Sequence, residues 1–549
     1  MTDGAVLTRA RSAPVWWILA AVPAAAMLYA AATAPTMNFK DYWQVLVQVT
    51  SPDGSLHPRG LATLYVGHPV ELFGTLCWLD AKLFGGDNRA LAVLAVLLGG
   101  VIVYCLNRML PARLSTTQRG SLTVAFSFLM FNSTALEIFV LGGSGVHWLC
   151  GLTPATVAIL LAHRGRAMPA VGVALLASLG HGSAFPVWVA LVVIGWLRRD
   201  RPWRLGVTAG AGVVVIVTWL LLPKKPVPIP TDTPLGPDSF LAATVGTLSP
   251  IRDTGAAATS IAVGALVAAL LLVLIVRLVQ QRLAPAGTAP VADVLEAAGW
   301  VGLGVQLLLV AVVIGGLRDE FGATIGITSR YAMLPGLAGC ALLALLALRF
   351  PQLTGARTAA LALCVSLVTY AGGTLRADEV RAQFPVLQLS AVAMRVGDRA
   401  EVAATGITPD AVHRAAVLHV YPFTSGFTVG CGFHLGDHVD QRTIRRLPGQ
   451  PLTGNPTVGL LEKTPTPPAE LFSGWAMVDN RRADCVLVVD EHGVVVGGGA
   501  VGEIRADVAE VTGGVDIHTG WTATAERGTV GDTVVLSSDD VLYRVTVPS

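Results

Sequence analysis

Chemistry in this chain is offered by a small set of side chains placed between long apolar runs. In Asn38-Phe39-Lys40-Asp41-Tyr42-Trp43, Asp41 follows an apolar run by a few residues and stands beside two aromatic rings. Partial desolvation makes a carboxylate a better base, so Asp41 reads as a proton acceptor or a divalent-metal ligand. The alternative is a helix cap, with Tyr42 and Trp43 as interfacial anchors. His68 and Glu71 are three apart and share a helical face if a helix begins at Pro69 or earlier. They are either an acid–base or ligand pair, or part of a capping segment; a lone pair without a third ligand points only weakly to metal. Arg330 and Tyr331 follow Arg318-Asp319-Glu320 across a short connection. A guanidinium at a membrane interface donates two parallel hydrogen bonds to a phosphate or pyrophosphate, or else snorkels and pairs with Asp319 or Glu320. Glu137, His147 and His181 are further ionisable groups at the ends of apolar runs, each a functional or a structural hydrogen-bonding group.

What must position these side chains is a membrane body. Of 549 residues, 53% are hydrophobic and 13% charged, and mean hydropathy is +0.63. Soluble chains carry about 25% charged residues. Such a composition excludes a disordered chain, a disulfide scaffold and a free cytosolic enzyme. Apolar runs at 14–34, 88–106, 119–136, 146–163, 168–180, 184–197, 204–222, 256–280, 297–316, 331–348 and 358–376 predict about eleven transmembrane helices. The fifth and sixth are short and joined by Gly180-His181-Gly182-Ser183, so they are two tilted spans or a broken pair. Arg9, Arg11, Arg108, Arg113, Arg119, Arg164, Arg166, Arg198, Arg199, Arg201, Arg204, Arg277, Arg282, Arg349 and Arg357 fall in alternate connections. That alternation predicts a multi-pass plasma-membrane protein with a cytoplasmic N-terminus and an extracytoplasmic tail. The first run, about twenty apolar residues with no convincing cleavage site, reads as a span and not a cleaved signal. The first outer loop, 35–87, is too long for a turn and so is read as functional.

The two halves differ in charge. Residues 1–376 hold 25 basic and 15 acidic groups, and 377–549 hold 13 and 21. No block of like charge marks a nucleic-acid partner. There is no phosphate-binding Gly-rich loop, HExxH, paired CxxC or GxSxG elbow in a credible context. Residues 377–463 read as a connecting α/β region, helical around Glu379–Arg399 and strand-like at Ala416–Tyr421. Thr464-Pro465-Thr466-Pro467-Pro468 reads as an extended linker. Short runs split by Gly and Asp over 464–549 predict a small antiparallel β-sandwich, with Asp490–Gly493 as a hairpin turn. Trp475 and Trp521 stack on sugar rings or fill the core. Cys431 and Cys485, the tail's two cysteines, form a disulfide or are separately buried.

Several strings resemble bacterial polytopic membrane glycosyltransferases of the GT-C class. They are Phe39–Trp43 through Leu79-Asp80-Ala81-Lys82-Leu83-Phe84-Gly85-Gly86, Met130–Ser133 with Glu137–Gly142, the Ser178–Gly182 break, and Arg318 to Gly322 with Ser329-Arg330-Tyr331. Gly474-Trp475-Ala476 and Ile504–Val508 resemble β-sandwich appendages of such bodies. The resemblance covers most of residues 14–376 and implies a GT-C-like fold with a C-terminal extracytoplasmic, mainly-β domain. It implies transfer of a sugar from a polyprenyl-phosphate donor to an envelope glycan or glycolipid on the outer face. Under it Asp41 is the base or metal-linked residue, and Arg330, with Arg318 and Tyr331, meets the donor phosphate. Where the class has an acidic-His-Arg string, this chain has Gly67-His68-Pro69-Val70. That departure sets a rival beside the enzyme: a non-catalytic membrane scaffold presenting a glycan-binding β domain. A lipid or sugar carrier is third.

Overall fold

Seven described helices are long and apolar enough to cross a membrane: Val15–Ala32, Asn88–Met109, Gly142–His163, Pro202–Leu221, Ala257–Leu283, Val294–Arg318 and Ser329–Arg349. They come from a computed structural model that describes residues 3–223, 236–284, 291–318, 321–350, 356–448, 457–463, 471–513, 516–526 and 533–545. The count differs from eleven for local reasons. Thr116–Met130 and Ser133–Val140 are bent by 43° at their break and make at most one further span. The break follows from Asn132, whose side chain accepts a hydrogen bond from Thr134 N and starts a new turn. The runs 168–180 and 184–197 fold as helices of 12 and 11 residues, Ala167–Ser178 and Val187–Leu197. Neither reaches the ~20 residues that a span needs. The last run folds as the 17-residue helix Ala356–Gly372.

Helix starts obey sequence signals. Ser115 and Gln118 close a reciprocal capping box before Thr116–Met130, and Pro202 opens Pro202–Leu221. The helices divide by burial. Gly142–His163 is mostly buried, whereas Pro202–Leu221 is mostly exposed, so the former is the central element and the latter a peripheral, apolar-surfaced one. Central packing depends on small residues. A Cβ on Gly145 would lie 1.8 Å from the Ile138 carbonyl oxygen, and one on Gly180 would lie 2.2 Å from that of Cys150.

The described chain forms two units: 1–34, 58–76 and 89–378, and 35–57, 77–88 and 379–549. Most of the long first loop therefore belongs with the tail, not with the helical body as expected. Gln44 Nε2 donates to Gly406 O (2.9 Å) and Tyr421 N to Gly85 O (2.8 Å). Tyr42 and Trp43, membrane-interface anchors under the alternative reading, are wholly buried in this second unit.

The region around Glu379–Arg399 is helical but broken. Phe384–Val396 ends at Gly397, which takes a left-handed conformation (φ +78°), and Asp398 caps Arg399–Ala404. Ala416–Tyr421 is not a strand. It is the end of helix Pro409–Val417, started by a Thr408 cap and Pro409 at the first position, and the turn that follows. The strands are β1 (Arg445–Arg446), β2 (Val458–Lys463), β3 (Leu471–Val478), β4 (Arg481–Arg482), β5 (Cys485–Val489), β6 (Val495–Glu503), β7 (Gly520–Ala525), β8 (Thr533–Ser538) and β9 (Val541–Arg544). They make one continuous sheet, β1-β9-β8-β5-β6-β7-β3-β2, with β4 on β3. All pairs are antiparallel except β1–β9. The expected two-sheet sandwich is thus replaced by a single sheet with Phe384–Val396 packed on β6 and β7. The β5–β6 hairpin turns at Asp490–Gly493, where Asp490 Oδ1 accepts from His492 N and Val494 N. These backbone donors hold the Asp490 carboxyl below its usual range. Cys431 and Cys485 form a disulfide with Cα atoms 5.8 Å apart. The linker Thr464–Pro468 lies outside the described residues.

Candidate functional site

The first unit brings His68, His147, His181, Arg318 and Tyr331 together. His68 ends a two-residue turn in which Tyr65 N donates to His68 O (3.0 Å) and His68 N to Tyr65 O (2.8 Å). The central residues, Val66 and Gly67, have φ +49° and +78°, the pattern of a type I′ turn. Trp219 Nε1 donates to Gly67 O (2.8 Å) and anchors the turn. A β-branched residue at positive φ is costly, on the order of 1–3 kcal/mol. Strain is therefore stored where His68 is aimed. Val66→Asn, the residue type this turn favours, is expected to stabilise the protein by about 1 kcal/mol. Thermal unfolding of the purified chain would read this, and a lower midpoint would show the turn to be unstrained.

His181 lies in the break between Ala167–Ser178 and Val187–Leu197, where Ser183 N donates to its Nδ1 (3.0 Å). Three glycines bring it close to its neighbours. A Cβ on Gly151 would meet His181 Cβ at 2.8 Å, one on Gly180 would strike the neighbouring helix, and one on Gly182 would meet His68 Nδ1 at 2.7 Å. His181 consequently stacks on His68 (centroids 4.3 Å apart, planes 17° apart). His147 stands edge-on to His181 at 4.7 Å, and its other face stacks on Phe73 at 4.5 Å. Trp148 lies 4.2 Å from His181 and edge-on to Tyr331 at 5.2 Å. Arg318, at the end of Val291–Arg318, sends Nη2 to His68 Nε2 at 3.2 Å. Burial first, then His147 and Arg318, push the His68 imidazole well below its usual range, so it is neutral at physiological pH.

A second knot holds the turn carrying Arg330 and Tyr331. Arg252, 3% exposed, donates from Nη1 to Gly326 O (2.6 Å) and Thr328 O (3.1 Å), and from Nη2 to Thr247 O (3.3 Å). Burial pulls its guanidinium down to about 9, still charged at neutral pH. Glu137 accepts a hydrogen bond from Ser329 Oγ. Arg318, Arg330, Arg252 and Glu137 all act electrostatically on Tyr331. Arg330 itself is exposed, and Tyr331 is buried. Arg318 and Arg330 are the guanidinium groups not spent on backbone carbonyls, and they stand with uncharged His68 and aromatic faces: an arrangement suited to an anion carrying an apolar or ring-bearing group.

Not every expected residue joins. Glu71 opens helix Glu71–Leu83 with its carboxyl engaged by the backbone N–H groups of Val70 and Glu71, while burial raises it overall. His68 bonds Arg318 through Nε2 and its Nδ1 has no hydrogen-bond partner, so the proposed His68–Glu71 pair is not formed. Asp41 begins helix Asp41–Val49 in the second unit, as does the disulfide pair belong there. Asp319 and Glu320 lie outside the described residues. Among the described residues no group of three or more His, Cys, Asp or Glu is arranged to hold a metal ion, so the divalent-metal reading of Asp41 gains no ligand set.

Three participants were missed in the sequence: Arg252, Trp148 and Phe73. Arg252 had a signal, a lone Arg between the apolar stretches Phe240–Ile251 and Ala256–Ile275. No protein-family model matches the chain, and it matches no curated protein and no solved structure. What fold and site define is a class only: a largely helical protein with membrane-length apolar helices, a C-terminal β region and a cationic, imidazole-rich cluster.

Proposed function

We propose that this chain is an extracytoplasmic membrane glycosyltransferase. It moves a sugar from a polyprenyl-phosphate donor to an envelope glycan or glycolipid, with its N-terminus cytoplasmic. The observation that carries the reading is the meeting of Arg318, Tyr331 and three histidines in the unit that holds the membrane-length helices. Guanidinium groups match a phosphate bidentately, and aromatic faces suit a sugar or an isoprenoid. Charge developing on the departing phosphate is what fixed donors stabilise most.

The base role falls to Asp41 by resemblance. Transfer of labelled lipid-linked sugar by membrane extracts is expected to drop roughly 10²–10⁴-fold in Asp41→Ala, the usual contribution of a general base. Full activity in that variant would remove the proposed base. Of the two readings of Trp475 and Trp521, sugar stacking or core filling, burial supports the second, since they are 4% and 0% exposed. Both fill the core of the sheet, and neither is available to stack on a sugar.

A further inference from the structure

We infer that His68 is a positioning residue: its Nε2 lone pair holds the Arg318 guanidinium in the orientation that receives a phosphate. The inference rests on the reading of Arg318 as a phosphate ligand and changes the part played by His68, which the sequence offered as an acid or base.

The argument begins with what arginine can do. A guanidinium carries five N–H donors and no acceptor. At 3.2 Å from Arg318 Nη2, His68 Nε2 can only be accepting, so the ring is neutral with its proton on Nδ1. Protonation would need this same lone pair and would set a cation against a cation at hydrogen-bond distance. A group so placed is a poor proton acceptor and a good orienting acceptor. The surroundings enforce that role. Nδ1 is buried beside Gly182 and has no hydrogen-bond partner, which leaves Nε2 as the working end of the ring. The ring is clamped by its stack on His181 and by the tight turn at Val66-Gly67, so it cannot rotate to follow a moving proton. Arg318, in contrast, is partly exposed at a helix end and lies 5.8 Å from the Phe321 ring centroid. A long side chain of that kind loses much rotamer freedom on binding an anion. An acceptor that fixes its plane beforehand removes part of that loss.

The test is a double-mutant cycle on the full chain in detergent, reading equilibrium binding of radiolabelled farnesyl monophosphate, with farnesol as the uncharged control. His68→Phe keeps an aromatic ring but offers no acceptor, and is expected to weaken phosphate binding up to about tenfold, the cost of ordering one long side chain on binding. His68→Gln, whose Oε1 can replace Nε2, should recover most of that loss. Farnesol binding should not change. In an Arg318→Gln background, His68→Phe should cause no further weakening. Equal weakening with and without Arg318, or wild-type binding in His68→Phe, would overturn the inference. So would a His68→Gln protein that binds normally and transfers nothing, because that result returns His68 to proton transfer. If the cycle behaves as expected while the wild type transfers no sugar, the transferase reading fails and the positioning role stands. A wild type that binds no farnesyl phosphate overturns both.

Discussion

Replacing Asp80 by asparagine is expected to abolish a loss of stability that the wild-type second unit suffers as pH rises from about 4 to about 7. Asp80, on helix Glu71–Leu83, is 2% exposed. Tyr42 OH donates to its Oδ2 at 3.0 Å, and its Oδ1 has no hydrogen-bond partner. Burial raises the carboxyl from 3.8 to about 7, against the lowering effect of the Tyr42 bond and with a further push from Asp87. Tyr42, raised far above its ordinary range by burial and then by Asp80, stays a donor throughout. Between those two values the folded chain binds a proton that the unfolded chain does not. Stability from this group is therefore complete below about pH 4 and is lost as pH climbs through about 7. At about 1.4 kcal/mol per unit the whole window is worth about 4 kcal/mol.

Amide exchange in helix Asp41–Val49, corrected for intrinsic rates, should show wild-type protection falling from pH 5 to pH 8 and a flat profile in Asp80→Asn. Tyr42→Phe should steepen the wild-type trend at its upper end, since it deletes the bond that favours the charged carboxylate. A wild-type profile without slope, or the same slope in Asp80→Asn, would mean that this carboxyl does not titrate in the window. The neighbours make the effect local. Asn38 Nδ2 donates to Gly86 O (2.8 Å) and Trp43 Nε1 to Asn38 O (2.9 Å), so one small polar knot ties Asn38, Tyr42, Trp43, Asp80 and Gly86 together. Gly86 must be glycine there, because a Cβ would lie 2.1 Å from Val420 Cγ1 and its φ is +67°.

How much of this was legible in the chain follows from range. Long apolar runs announce helices because their signal is local, and all seven membrane-length helices fall within or over runs read from the sequence. His68, His147, His181, Arg318 and Tyr331 were also nameable, since ionisable or aromatic groups at the ends of apolar runs stand out. Their joint placement was not, because the histidines come from three separate segments brought together by close approaches at Gly151, Gly180 and Gly182. The helix Pro409–Val417 had its own signals in Thr408-Pro409, yet the apolar tail Ala415–Val420 was weighted as a strand. In the sheet, β6 is bordered by β5 and β7, and β2 reaches β3 across the Pro-rich stretch. Strand runs do not state their partners, so one sheet and two packed sheets look alike in sequence. The partition of the first loop was hidden for the same reason: the bonds from Gln44 to Gly406 and from Tyr421 to Gly85 span more than three hundred residues.

Arg252→Met should be among the most damaging single changes in the first unit. The side chain is 3% exposed and spends its two Nη groups on three backbone carbonyls, those of Thr247, Gly326 and Thr328. Thr247 caps the end of helix Pro237–Gly246, whose last carbonyls need a donor. Gly326 and Thr328 belong to the turn that leads into Ser329-Arg330-Tyr331. Removing the guanidinium leaves dry acceptors, at about 1–3 kcal/mol each, and a total of about 3–5 kcal/mol is the usual loss when one partner of a buried charged cluster is deleted. Tyr331 and, more weakly, Glu137 act in the opposite sense to burial by favouring the charged form of Arg252, and Arg376 disfavours it. Arg252→Lys keeps the charge but not the planar fork that reaches Gly326 and Thr328 from a single nitrogen and Thr247 from the next, so it should recover less than half of the loss. Amide exchange over residues 325–332 is the measurement. Arg252→Met should expose this turn and weaken farnesyl phosphate binding together, because Tyr331 and Arg330 lose their fixed base. Native protection of 325–332 in Arg252→Met would show that the turn is held by Glu137 and Ser329 without the buried arginine.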